Sequence, residues 1–244
     1  MAKHTFERRE KKMLIDNSIV NDFVNDILEY MTPDEYNING EPYMISNLYF
    51  DDDGDNVIRH SVSKPRFKEK LRVRSYGVPT EDTKVFIEIK RKLRGVGTKR
   101  RARLSLRQLR NYLETGKHPE DLRYIDEQVL REIDYYRATY DVSPKVYVSY
   151  MRTAFFGKEN KKFRITLDKD ITTRRYDLDL SLGSYGDKLL PEGKTLLEIK
   201  FEGAVPLWFA RIMSKYSISF LPYSKYGREF KKTQRKLNFS EDEE

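Results

Sequence analysis

Three triplets in strand-like stretches set a glutamate two residues before a lysine: Glu10-Lys11-Lys12, Glu88-Ile89-Lys90 and Glu198-Ile199-Lys200. Residues two apart on a strand share a face. Each triplet therefore sets one carboxylate beside one ammonium. Val85, Ile87 and Ile89 point the other way, as do Leu197, Ile199 and Phe201. Other strand-like segments have polar faces that are almost purely basic: Arg72 with Arg74, Lys99 with Arg101 and Arg103, then Arg152, Arg164 and Lys200. Cations two apart on a strand lie about 7 Å from each other and repel by about 2 kcal/mol per pair at an effective dielectric near 20. Converging several such strands is costly unless an anion fills the space between them. Isolated carboxylates in phase with the cations suit a divalent ion that bridges phosphates. The chemistry this permits is phosphoryl transfer, which needs positioning and charge neutralisation more than covalent help.

Other sites are excluded by their own requirements. Gly193-Lys194-Thr195 ends like a phosphate-binding loop, but Lys188 stands where that loop needs its first glycine. Gly95-Val96-Gly97 has Arg100 in place of a third glycine. His4, His60 and His118 are scattered, and the chain has no cysteine, which removes thiolate nucleophiles, disulfides and cysteine-bound zinc. Asp51, Asp53 and Asp55 lack the later glutamate of a calcium loop and read as a solvated turn.

The elements that must position these residues follow from alternation and capping signals. Strands are expected over 1–14, 43–51, 67–76, 84–90, 98–104, 144–152, 162–168 and 195–201. Helices are expected from Asp16–Ser18 to Tyr30, from Ser105 to Gly116, from Pro119 to about Tyr136, and from Pro206 through Trp208, Ile212 and Met213. A Gly95-Val96-Gly97 turn joins two strands, and an irregular connection runs from Ser181 to Gly193. Mostly antiparallel strands interrupted by helices give an α+β class built on one large curved sheet or barrel. Among 244 residues, 47 bases against 39 acids leave a net charge of +8, which favours polyanionic partners. The N-terminus has no apolar signal core and no run approaches the length of a spanning helix, so a cytoplasmic protein is expected.

The chain resembles the polyphosphate polymerase domain of the vacuolar transporter chaperone (VTC) proteins, a branch of the triphosphate tunnel metalloenzymes. The resemblance rests on Phe6–Lys12, Leu48-Tyr49-Phe50-Asp51, Leu71-Arg72-Val73-Arg74, Phe86-Ile87-Glu88-Ile89-Lys90 and Lys99-Arg100. It continues through Tyr150–Phe155, Phe163–Asp168, Leu197-Glu198-Ile199-Lys200 and Tyr223-Ser224-Lys225-Tyr226. Each motif is weak alone, but all of them in the family's order are specific. One departure is Met13, where a tyrosine usually follows the first lysine. The resemblance implies an antiparallel β-barrel, the triphosphate tunnel, with flanking helices over residues 1–230; the charge-rich stretch over 231–244 reads as a flexible tail. It implies that the γ-phosphate of ATP passes to a growing inorganic polyphosphate chain with Mn2+ or Mg2+ assisting.

By the same resemblance Arg72, Arg74, Lys90, Arg152, Arg164 and Lys200 form the catalytic set. Lys12, Lys99, Ser224 and Lys225 bind phosphate, Tyr150 lines the tunnel wall, and Glu198 holds the metal. Glu88 and Glu10 are further candidates for the ion, or counter-ions of the neighbouring lysines. The chain reads as a free-standing catalytic domain, as in bacterial versions, with ATP and polyphosphate as partners. Two readings compete with polymerisation. Hydrolysis of a triphosphate needs only water in place of the acceptor chain. A non-catalytic polyanion or RNA module ranks last, because glutamates in phase with the cations would repel a nucleic-acid backbone.

Overall fold

The computed structural model describes residues 8–94 and 96–241. Expectations for residues 1–7 of the first strand and for Gly95 lie outside that range. In chain order the elements are β1 (Arg8–Asp16), α1 (Val20–Leu28), β2 (Met31–Pro33), β3 (Tyr43–Asp51), α2 (Asn56–Val62), β4 (Phe67–Tyr76), β5 (Lys84–Leu93) and β6 (Val96–Ser105). There follow α3 (Leu106–Thr115), α4 (Tyr124–Tyr140), β7 (Ser143–Gly157), β8 (Arg164–Arg174), β9 (Asp187–Lys188), β10 (Lys194–Glu202), α5 (Leu207–Lys215) and α6 (Lys225–Glu241).

Strand neighbours follow the order β1-β10-β8-β7-β3-β4-β5-β6, with β2 beside β7 and β9 beside β8, and the described pairings are antiparallel. The path is open: among the described residues β1 ends it on one side and β6 on the other. The expected closed barrel is therefore corrected to an open antiparallel sheet with flanking helices. Alternation fixes which face a side chain takes, while closure depends on tilt and stagger that alternation does not encode.

Two compact units share the chain. The first takes residues up to Met44, Tyr150–Thr172 and Lys188–Ser224; the second takes Ile45–Ser149, Thr173–Asp187 and the chain from Lys225. In the first, one face of the strands carries Met13, Ile15, Phe155, Ile165, Leu167, Leu197 and Ile199 against Phe23 and Ile27 of α1 and Phe209 of α5. In the second, Leu71, Val73, Val85, Ile87, Ile89, Ala102 and Leu104 pack on Leu109 and Tyr112 of α3 and Val129, Leu130 and Ile133 of α4. Both cores cover one face of their strands, so the alternate residues of the same strands form a second, charged face.

Local chemistry sets the ends. Ser105 and Gln108 form a reciprocal capping box at the start of α3, and Gly116 closes that helix at φ +73°, a conformation suited to glycine. The helix expected from Pro119 starts at Tyr124 instead. Proline permits a helix start without requiring one, and Asp126 ties this turn to β6 by accepting from the Arg103 N–H and to Arg123 at 2.6 Å. The Asp51–Asp55 turn was expected, but α2 behind it was not. Asp51, fully buried, accepts from the Val57 and Ile58 N–H groups at 2.8 and 2.9 Å and from the Tyr226 hydroxyl at 2.6 Å. The 181–193 connection holds a turn of 3-10 helix over Leu180–Leu182 and the short β9. Residues 231–241 continue α6. No described helix is long and apolar enough to cross a membrane.

Candidate functional site

In the first unit, the register of β1 on β10 sets Glu10 opposite Lys200 and Lys12 opposite Glu198. The residues alternating with them are the buried Met13, Leu197 and Ile199, so all four charges share one face. They close a ring of alternating sign. Lys12 Nζ lies 2.5 Å from Glu10 and 3.5 Å from Glu198, and Lys200 Nζ lies 2.6 Å from Glu198 and 4.0 Å from Glu10. Burial pulls the Lys200 ammonium below its ordinary range, and the two glutamates only partly oppose it.

The next strand extends this face. Arg164 and Thr166 of β8 stand opposite Lys200 and Glu198. Arg152 of β7 forks onto Asp168, Nε at 2.7 Å and Nη2 at 2.8 Å, and its guanidinium stacks 5.0 Å from the centre of the Tyr150 ring. Burial works against the Arg152 charge, and Asp168 more than offsets it. Arg164 reaches Asp34 at 3.2 Å and lies over Phe156, while its Nε and the Thr166 hydroxyl have no hydrogen-bond partner among the described residues. A guanidinium Nε can only donate, so the partner it calls for is an acceptor.

In the second unit, three strands align their cations in rows. Arg72 of β4 faces Glu88 of β5, which faces Arg101 of β6; Arg74 faces Phe86 and then Arg103; Lys70 faces Lys90 and then Lys99. Glu88 is buried, with Arg72 Nε and Nη2 each 2.8 Å from Oε2 and Lys99 Nζ 3.4 Å from Oε1. Burial would raise the Glu88 carboxyl, but Arg72, Arg74 and Lys99 hold it down at about 2. Burial also lowers the Lys99 ammonium, aided by Arg101, Arg72 and Arg74. β3 supplies two supports: Asn47, which the sequence did not single out, and Tyr49, which stood in a motif without an assigned role. Asn47 accepts from Arg74 Nε at 2.9 Å, and the Tyr49 hydroxyl lies 3.3 Å from Arg72. Both alternate with the buried Leu48, which was the available signal.

The expected site residues on strands thus fall on two charged faces, one in each unit. Glu10, Lys12, Tyr150, Arg152, Arg164, Glu198, Lys200 and Ser224 fall in the first unit; Arg72, Arg74, Glu88, Lys90, Lys99 and Lys225 fall in the second. Ser224 and Lys225 stand at the start of α6, Ser224 exposed and Lys225 half-buried. Among the described residues no group of three or more His, Asp or Glu is arranged to hold a metal. The first face does fit a hard divalent ion that shares its coordination with a substrate. Glu10 and Glu198 are brought to the same two ammonium groups, and Mg2+-like ions commonly take one or two carboxylates plus phosphate oxygens. Glu88, buried between Arg72 and Lys99 with no second carboxylate in the rows around it, is placed as the counter-ion of its row.

The profile of the VTC domain matches residues 7–233. No curated protein matches the chain. Among solved structures, one from Bacillus halodurans carrying an adenylate cyclase name is 18% identical and has a TM-score of 0.50, covering 92% of this chain and 96% of that one. A Hippeastrum protein named as an adenylyl cyclase, and described as having a dominant triphosphatase activity, is 14% identical with a TM-score of 0.51, covering 89% and 92%. At these identities the likeness is one of fold.

Proposed function

Because the chain belongs to the VTC domain family, we propose that it is a polyphosphate polymerase, transferring the γ-phosphate of ATP to a growing inorganic polyphosphate chain. The observation that carries this reading is the row of cations on β4, β5 and β6 with Glu88 as its counter-ion. A face so unbalanced is suited to a partner that is itself a dense line of charge. Arg72 and Arg74 would grip the terminal phosphates, since a guanidinium fork matches two phosphate oxygens at once. Glu88 holds Arg72 in orientation, and Asn47 does the same for Arg74.

On the first unit's face, Glu198, with Glu10 as second carboxylate, would hold Mn2+ or Mg2+. The ion would neutralise charge on the phosphates when bound. Lys12 and Lys200 already neutralise those carboxylates, and Arg152, fixed by Asp168, adds a rigid positive charge. Arg164 supplies a donor awaiting an anionic oxygen. Nothing in this set needs a protein nucleophile, which agrees with a transfer governed by positioning and electrostatics.

A second reading is hydrolysis of the triphosphate, favoured by the triphosphatase activity described for the Hippeastrum protein of the same fold. Incubating the protein with γ-labelled ATP, Mn2+ and a polyphosphate acceptor separates the two. Label in a ladder of long chains is the expected result. Label only in free phosphate would replace the polymerase reading with the hydrolytic one, and no turnover would remove both.

A further inference from the structure

We propose that the β4–β5 hairpin end carries a distinct binding track for long polyphosphate chains, formed by Lys64, Arg66, Lys68, Lys92 and Arg94 and extending the cationic face beyond Lys70 and Lys90. The proposal rests on the phosphate-chain reading of that face and concerns residues outside the catalytic set. The register carries it. Lys68 stands directly opposite Lys92, the next row sets Lys70, Lys90 and Lys99 side by side, and the Arg94 N–H donates to the Arg66 carbonyl at 2.7 Å. Residues 68, 70, 72 and 74 alternate onto one face of β4, as 86, 88, 90 and 92 do on β5, and Arg66 immediately precedes β4. The track is therefore continuous with Arg72 and Arg74.

The other face of the same segments shows that this is not a general surplus of lysine. There Arg91 pairs with Glu69 at 2.9 Å and with Glu132 at 2.7 Å, and Arg100 pairs with Glu132 at 3.2 Å. The local acids are spent on that balanced face. On the track face, the acid of β4 and β5 is Glu88, which is already held between Arg72 and Lys99. Lys68 is partly buried, and its Nζ donates to the Ser61 carbonyl at 3.2 Å, which holds an ammonium in place among cations. Burial pulls that ammonium below its ordinary range, and Lys92, Lys90 and Lys64 pull it further.

From Arg74 to Lys68 the strand rises about 20 Å at roughly 3.4 Å per residue. A triphosphate group is too short to bridge that span, whereas a long chain follows it. Lysine ammonium groups on flexible stems suit a featureless line of phosphates. Nucleic acid would call for aromatic platforms among the cations, and on this part of the strands Phe67 and Leu93 alternate with the track residues and fall on the other face.

The test is equilibrium binding, without turnover, of inorganic tripolyphosphate, long-chain polyphosphate and a single-stranded RNA. It compares wild type with the Lys64→Gln/Lys92→Gln double variant, both positions being exposed, and with Lys68→Gln. Long-chain affinity should fall by about tenfold or more, ~1.4 kcal/mol, in each, while tripolyphosphate affinity stays within about twofold of wild type. Unchanged long-chain affinity in the fold-safe double variant would overturn the track even if the protein polymerises phosphate. RNA binding as tightly as long polyphosphate, and lost in the same variants, would overturn it in favour of a general polyanion surface. Chain-length-dependent binding in a protein that fails to turn over ATP would support the track while removing the polymerase reading.

Discussion

Glu88 shows how a single carboxylate can organise several cations. Its carboxyl lies at about 2 against an ordinary value of 4.5, so the folded state holds the charged form more tightly than the unfolded chain does. The stabilisation from this ion pair is complete above about pH 4.5 and disappears as pH falls toward about 2. Glu88→Gln should therefore flatten the acid limb of a stability-versus-pH curve, measured by chemical denaturation between those limits. An unaltered acid limb would remove Glu88 from this role. Arg74 is positioned through its Nε by Asn47. Arg74→Lys keeps the charge and loses the fork, so turnover of ATP should drop more than about tenfold, ~1.4 kcal/mol of barrier, with little loss of tripolyphosphate affinity. Equal losses in both would mean that Arg74 only binds. That the strand cations and Glu198 share charged faces was legible from alternation. Asn47, Asp34 and Asp168 as their fixers were not, because partners across strands depend on register, which one chain read in isolation does not fix.

At the scale of elements, β3 and β4 match the expected boundaries, β4 because its alternation is clean and both because their ends are marked by polar or glycine breaks. The α3 helix was legible for a different reason: Ser105, Gln108 and Gly116 are capping signals that act locally. Ser105→Ala should remove one half of the box and cost about 1 kcal/mol of stability, read as a lowered denaturation midpoint with unchanged slope. No loss would mean that packing of Leu106, Leu109 and Tyr112 alone sets the helix start. The α2 helix was hidden because the Asp51 carboxylate that accepts from its Val57 and Ile58 N–H groups sits on the strand before the turn and is itself held by the hydroxyl of the distant Tyr226. Spacing near the helix carries no trace of such long-range support.

At the scale of the molecule, the family and the antiparallel helix-flanked sheet were readable, and closure was not. Each unit repeats one plan, an apolar face under helices and a charged face opposite, because period-two strands with helical cover permit little else. The central claim is that these charged faces carry metal-assisted phosphoryl transfer, with Glu198 holding the ion. The most direct test is to measure Mn2+-dependent ATP turnover and tripolyphosphate binding side by side for wild type and Glu198→Gln. The substitution keeps the side chain's shape and deletes its charge. Turnover should collapse by at least about 100-fold, ~2.7 kcal/mol of barrier, while tripolyphosphate still binds and raises thermal stability in the absence of metal. Wild-type turnover in Glu198→Gln would contradict the claim.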